Sequence, residues 1–218
     1  EAGNAIADVL SGKVNPSGKL AQTFPVNYSD VPSAKYFPGT PADDPKNVVY
    51  GEGIYVGYRY YNTFHIKTAY PFGYGLSYSH FTYSDLKLSS RHFEHKMEVT
   101  VKVTNSGEVA GKEVVELYLS APQKDLKKPD EELKAFAKTK ELQPGESETI
   151  KFVLDNASLA SFDTSKEAWI AESGKYIVKI GASCDDIKQS ATFNLDRNIV
   201  VEKVSVTMPP QVKIAPMR

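Results

Sequence analysis

Hydrophobic and polar residues alternate with a period of two through most of the chain beyond Phe81. Val99, Val101 and Val103 fall on one side of an extended run and Thr100, Lys102 and Thr104 on the other, the pattern of a strand with one buried and one wet face. The same phase returns in Val115, Leu117 and Leu119, in Ile150, Phe152 and Leu154, and in Tyr176, Val178 and Ile180. Periodicity predicts strands over 81–88, 98–104, 114–120, 133–142, 149–154, 168–171, 176–181 and 191–195. Asn105-Ser106-Gly107, Gln143-Pro144-Gly145-Glu146 and Glu172-Ser173-Gly174-Lys175 supply turns between them. Seven or eight short antiparallel strands fit an immunoglobulin or fibronectin type III sandwich, with Val99, Val101, Val103, Leu117, Phe152 and Val178 inside and Trp169 buried on its strand.

The beginning of the chain follows another rhythm. Ala5, Ile6, Val9 and Leu10 share one helical face, Gly12 is placed to end that helix, and Leu20 to Phe24 is a candidate strand after the turn Asn15-Pro16-Ser17-Gly18. Regularity then stops, with Pro25, Pro32, Pro38, Pro41 and Pro45 between residues 25 and 47. One helix and a strand or two cannot close a core. The expected fold is therefore mainly β: an antiparallel sandwich over 76–195, preceded over 1–75 by the tail end of a larger α/β domain. Residues 196–218, with Val200, Val204 and Val206 and then Pro209-Pro210, read as a tail or linker.

Composition sharpens this picture in three places. Nine of the thirteen tyrosines, from Tyr50 to Tyr83, crowd the junction between the two rhythms. Lys+Arg 26 against Asp+Glu 27 leaves a net charge of −1, so no nucleic-acid or anionic-membrane partner is expected. Cys184 is the only cysteine, which excludes an intrachain disulfide and any zinc site with two thiolates. Glu1-Ala2-Gly3-Asn4 carries no initiator Met and no basic or apolar leader, so a targeting segment is expected to lie outside these residues, and secreted, periplasmic and cytoplasmic settings all stay open.

The candidate chemistry is thin. Gly12-Lys13-Val14-Asn15-Pro16-Ser17-Gly18-Lys19 imitates a phosphate loop, but its glycines are one residue too far apart, Leu20 stands where a Mg²⁺-binding hydroxyl belongs, and a helix precedes it; it reads as a helix-to-strand turn. His92 and His95 lack a third ligand and read as loop decoration. Asn27-Tyr28-Ser29 and Asn156-Ala157-Ser158 match the glycosylation sequon. Asp43-Asp44, Glu131-Glu132 and Asp185-Asp186 are adjacent pairs whose members point apart on a strand, so they read as surface charges rather than glycosidase carboxylates. Tyr50, Tyr55, Tyr58, Tyr60 and Tyr61 read either as a stacking platform for sugar rings or as packing between the two zones, with packing the simpler account. No catalytic, substrate-binding, cofactor-binding or metal-binding residue is assigned, and no cofactor is expected.

Several strings carry a resemblance. Gly3-Asn4-Ala5-Ile6-Ala7-Asp8-Val9-Leu10, then Asn15-Pro16-Ser17-Gly18-Lys19-Leu20 and Thr23-Phe24-Pro25, resemble the closing segment of the α/β sandwich domain of glycoside hydrolase family 3 β-glucosidases. The run Tyr50 to Tyr61 is similar to a block of that family, Pro71-Phe72-Gly73-Tyr74-Gly75-Leu76-Ser77-Tyr78 to its signature at the entry to the fibronectin-like domain, and Val101 to Gly107 with Gly111 to Tyr118 to that domain's opening hairpin. Leu142 to Ser147 and Trp169 to Ser183 continue the likeness, which covers about residues 1–195.

The resemblance implies retaining hydrolysis of terminal β-D-glucosyl or related β-glycosyl residues, by an Asp nucleophile on a barrel domain and a Glu acid/base on the α/β domain. Both would precede Gly3, and Glu1 is not assigned either role. It implies a scaffold portion, inactive alone, whose partners are the barrel and α/β domains of the same enzyme and, through them, a β-glycoside; a homo-oligomer stays open. Residues 196–218 would be a linker in a circularly permuted arrangement or a C-terminal extension. The alternative is a non-catalytic carbohydrate-binding or adhesion module with an immunoglobulin-like fold.

Overall fold

The alternating valines form the middle of a sandwich. In the computed structural model, which describes residues 1–37 and 50–205, β3 (Phe81–Leu88), β4 (Lys96–Asn105) and β7 (Ser147–Asp155) make a three-stranded antiparallel sheet in the order β3-β4-β7. Opposite it lie β5 (Val114–Ser120), β6 (Glu132–Lys138), β10 (Gly174–Gly181) and β11 (Ile187–Leu195), in the order β11-β10-β5-β6. Register puts Val99 against Phe152, Val101 against Ile150 and Val178 between Leu119 and Ala191. All six side chains expected inside the sandwich are buried there, where Tyr176 stacks on Phe193 with ring centroids 5.3 Å apart and an interplanar angle of 6°.

One edge of the sandwich closes through a bulge. Asp85 sits at φ 56° where the pairing of β3 with β4 slips between Ser84 and Lys87. The freed Leu86 N–H donates to Gln189 Oε1 on β11, 3.0 Å away in the opposite sheet. At the other end an insertion follows β7: α3 (Asn156–Leu159), capped by Asp155 accepting from Ser158 N–H at 2.9 Å, then a hairpin of β8 (Ser161–Asp163) and β9 (Ala168–Ala171). The stretch expected as tail or linker contributes β12 (Ile199–Lys203), which adds to β9 and makes a second small sheet.

Trp169 corrects an expectation: it is 42% exposed, beside Phe162 at 36%. β9 reads Ala168-Trp169-Ile170-Ala171, apolar in both phases, so alternation alone does not say which face is inward. The structure turns Ala168 and Ile170 to the core and the larger indole out.

Ahead of the sandwich, α1 (Ala2–Leu10) forms as its periodicity requires and stops at Gly12, whose φ of 75° suits a residue without a Cβ. It buries none of its residues, and Ile6 and Leu10 are 60% and 77% exposed. The strand expected over 20–24 shrinks to β1 (Phe24–Pro25), paired with β2 (Thr68–Tyr70). Leu20 instead accepts from Gly73 N–H and donates to Tyr74 O, both at 2.8 Å. Among the described residues, Pro32 is buried ahead of α2, and the buried aliphatic and aromatic side chains begin at Tyr58. Pro38, Pro41, Pro45, Asp43-Asp44, Val206 and Pro209-Pro210 lie outside the described residues.

Candidate functional site

The tyrosine-rich run becomes a helix laid on the sandwich. After Gly57, at φ 56°, α2 (Tyr58–Thr63) turns Tyr58 and Tyr61 inward over the outer face of the four-stranded sheet. The Tyr58 ring lies between Phe72 and Tyr118, with centroids 4.9 and 5.7 Å away, and its hydroxyl accepts from Leu133 N–H at 2.7 Å. Asn62 donates to Glu131 Oε1 at 2.9 Å, Lys179 pairs with the other Glu131 oxygen at 2.7 Å, and Arg59 reaches Glu132 at 3.3 Å. Thr63 Oγ1 accepts from Asp130 N–H. Tyr55 and Tyr60 are half-buried, each with its ring on Phe64, and Tyr50 is exposed.

Beside α2 the chain crosses the sheet so closely that only glycine fits. Gly73, at φ 83°, lies where a Cβ would overlap the Glu116 carboxylate. Tyr118 donates to Glu116 Oε2 at 2.6 Å, and burial pushes the Glu116 carboxyl above the usual carboxylate range against that bond. The neighbouring Glu113 accepts from Tyr83 at 2.8 Å and pairs with Lys19 at 3.4 Å. Asn15 ties three segments: it donates to Ala110 O and accepts from Ser77 Oγ and Tyr78 N–H, at 2.8–3.0 Å. Cys184 donates its N–H to Phe72 O, and burial, with Asp185 beside it, pushes its thiol up to about 12. A thiol held that high is no nucleophile at neutral pH.

This arrangement packs and fastens. Its carboxylates are committed to lysines, amides and phenols, and its rings to one another. The pair Glu131-Glu132 departs from the surface-charge reading, because Glu131 is 4% exposed and both members hold the seam; Asp185 and Asp186 are exposed as expected. Gly12 to Lys19 leaves α1 through a turn and a bend and runs on as irregular chain, with Lys19 on Glu113. His92 lies at the surface with Nδ1 3.1 Å from Asp196. Asn27 is exposed, whereas Asn156 opens α3 with a buried, unpartnered Oδ1. No group of three or more His, Cys, Asp or Glu suited to a metal occurs among the described residues. The sequence reading missed the buried Glu113 and Glu116 and the exposed pair of Phe162 and Trp169. Its only signal for the former was two acids placed among apolar residues in Glu113-Val114-Val115-Glu116-Leu117.

Residues 1–58 match the glycosyl hydrolase family 3 C-terminal domain and residues 113–184 the fibronectin type III-like domain. Thermostable β-glucosidase B of Acetivibrio thermocellus is 44% identical over 203 residues, covering 92% of this chain and 26% of its own length. β-Glucosidase A of Butyrivibrio fibrisolvens is 42% identical, covering 96% of this chain and 27% of its own. Among solved structures, β-glucosidase 3B from Thermotoga neapolitana in complex with α-D-glucose superimposes with a TM-score of 0.85 at 50% identity, over 90% of this chain and 27% of that one. The chain thus spans about a quarter of the length of the curated relatives it matches.

Proposed function

We propose that this chain, which belongs to glycosyl hydrolase family 3 and carries its C-terminal and fibronectin type III-like domains, is the C-terminal scaffold of a longer retaining β-glucosidase that removes terminal β-D-glucosyl residues. The single observation behind this reading is the helix without a core. α1 exposes Ile6 and Leu10, while the chain that follows it is fastened to the sandwich through Asn15, Lys19 and Tyr58. Such a helix needs a neighbour, and the barrel and α/β domains of the same enzyme are the proposed one.

Retaining hydrolysis takes two carboxyl groups roughly 5–5.5 Å apart across the scissile bond. The proposal assigns both to those other domains. Residues 1–75 complete the α/β domain, residues 76–195 brace it, and α2 with Gly73 locks the two together. An antibody raised against this segment should capture from the source organism a protein several times heavier than 24.1 kDa that hydrolyses aryl β-glucosides, while the 218-residue chain alone should not. Capture of a 24.1 kDa species without that activity would favour a free-standing binding module instead.

A further inference from the structure

The run that crosses the four-stranded sheet lies over buried acid. Glu113 and Glu116 are both buried, and Glu116 sits directly beneath Gly73, where a Cβ would overlap both of its carboxyl oxygens. Around this pair the charges do not balance. Lys19 pairs with Glu113 at 3.4 Å, and among the described residues no ion pair reaches Glu116. Lys188 pairs instead with Asp186 at 2.7 Å, and Lys112 and His80 lie exposed on the cavity that Lys19 lines. The remaining groups that face the pair are phenols and a thiol. Tyr83 donates to Glu113 and Tyr118 to Glu116, while Tyr58 and Cys184, with Asp185 beside it, pack on Tyr118. Gly181 on β10 and Phe136 on β6, the cross-strand neighbours of Glu116, bring no charge.

One lysine against two carboxylates leaves a negative charge where water hardly reaches, and binding a single proton removes it. Glu116, with a phenol but no cation, is the member that takes the proton. Burial holds its carboxyl above the ordinary range, Glu113 adds to this, and the Tyr118 bond and Lys19 oppose it. Once ionised, the carboxylate is relieved only by water, which enters when the run over it lifts. That run can move as a unit. The bonds of Leu20 to Gly73 and Tyr74 stay within the lifted chain, and among the described residues the backbone bond from residues 71–75 to the sandwich is Cys184 N–H to Phe72 O at 3.1 Å.

We propose that Glu113, Glu116 and Lys19 form a proton-operated latch: with a proton on Glu116, residues 71–75 lie closed on β5, and on its loss they lift and admit water. The closed state raises the affinity of Glu116 for its proton. By linkage its contribution is whole below the ordinary carboxylate pKa and is lost as pH rises through the higher, folded value. The latch stands on the seam alone, whatever the longer protein hydrolyses.

Cys184, the chain's single thiol, is buried against Phe72 and reports the lift. Its rate of reaction with dipyridyl disulfide in the 218-residue chain, compared with the rate in the urea-unfolded chain at the same pH, gives a protection free of the thiol's own titration. This protection should fall about tenfold or more between about pH 5 and about pH 8, a range in which burial keeps Cys184, Tyr83 and Tyr118 protonated in the closed state. Glu116→Gln should abolish the fall, Lys19→Met should move it to higher pH, and His80→Gln should leave it in place. A protection that does not change with pH, a fall that survives Glu116→Gln or is unmoved by Lys19→Met, or one that disappears with His80→Gln overturns the latch. So does a parallel loss of protection at the Val101 amide, which would make the opening global. Should Glu116→Gln fail to fold, the wild-type and Lys19→Met profiles decide alone.

Discussion

The sandwich and the segment ahead of it are built on opposite principles. In the sandwich, Met97, Val99, Val101, Val103, Leu117, Tyr176 and Phe193 exclude water among themselves. In the segment ahead of it, apolar side chains of comparable size remain in solvent, Val26, Tyr28 and Phe37 with Ile6 and Leu10. Nonetheless the second region is no loose strand of polypeptide. Asn15, Lys19, Leu20, Tyr58 and Asn62 each hold a partner on or beside the sandwich. Polar fastening with precise partners gives position, and apolar burial gives stability. A segment with the first and little of the second is placed by one neighbour and completed by another.

The sharpest way to break this contrast is inside the sandwich, where a charge is buried. Lys128 and Glu172 form an ion pair with both side chains almost wholly buried; Lys128 also donates to Pro122 O, and Asp125 N–H donates to Glu172. Lys128→Met leaves Glu172 uncompensated and should cost about 3–5 kcal/mol in urea unfolding. A loss below about 1 kcal/mol would place the pair's weight elsewhere.

At the seam the expected effect is smaller and local. Tyr58→Ala removes a ring from between Phe72 and Tyr118 and orphans Leu133 N–H. It should lower the opening free energy of α2 by about 2–3 kcal/mol in native-state hydrogen exchange and leave β10 nearly unchanged. Equal losses in both would make the two regions one cooperative unit.

Acid and base should act on the two regions with opposite sign. Burial raises the Glu172 carboxyl, but Lys128 and the Asp125 amide outweigh it and hold it below the usual range. Its contribution is therefore present above the ordinary carboxylate pKa and fades as pH falls through the folded value. Glu116 is held above the usual range by burial, so its contribution is present below the ordinary value and fades as pH rises through the folded one. Acidification should weaken β10 and tighten the contact of Gly73 with β5, read as amide protection at each. Glu172→Gln and Glu116→Gln should each flatten their own limb.

The smallest effect is expected at Trp169. With the indole 42% exposed, Trp169→Ala should cost below about 1 kcal/mol in urea melts. A cost of about 3–5 kcal/mol would restore the buried assignment that its strand suggests.

What could be read in advance follows the same divide. Where one face is buried and the other wet, as in β4, alternation located the strand and its inward residues. Strands 81–88, 114–120 and 168–171 coincide with β3, β5 and β9. The run 133–142 was too long because pairing with β5 ends at Lys138, and Leu142 pairs with Gly111 as an isolated bridge. β8, with only Ser161, Phe162 and Asp163, is too short to show a period, and β12 shows its register only against β9. The tyrosine crowd marked the seam, yet α2 was not legible as a helix, because its aromatic residues carry no strong helix preference and only docking on Tyr118 and Leu133 fixes it. Trp169 misled because both phases of its strand are apolar.

The segment ahead of the sandwich has position without stability of its own. Native-state hydrogen exchange on the 218-residue chain, compared between α1 and β4, tests it most directly. The amides from Ala5 to Gly12 should exchange by local opening, with little dependence on global stability, while those of Val99, Val101 and Val103 should exchange only when the whole sandwich unfolds. Protection of α1 equal to that of β4 in the isolated chain would contradict it.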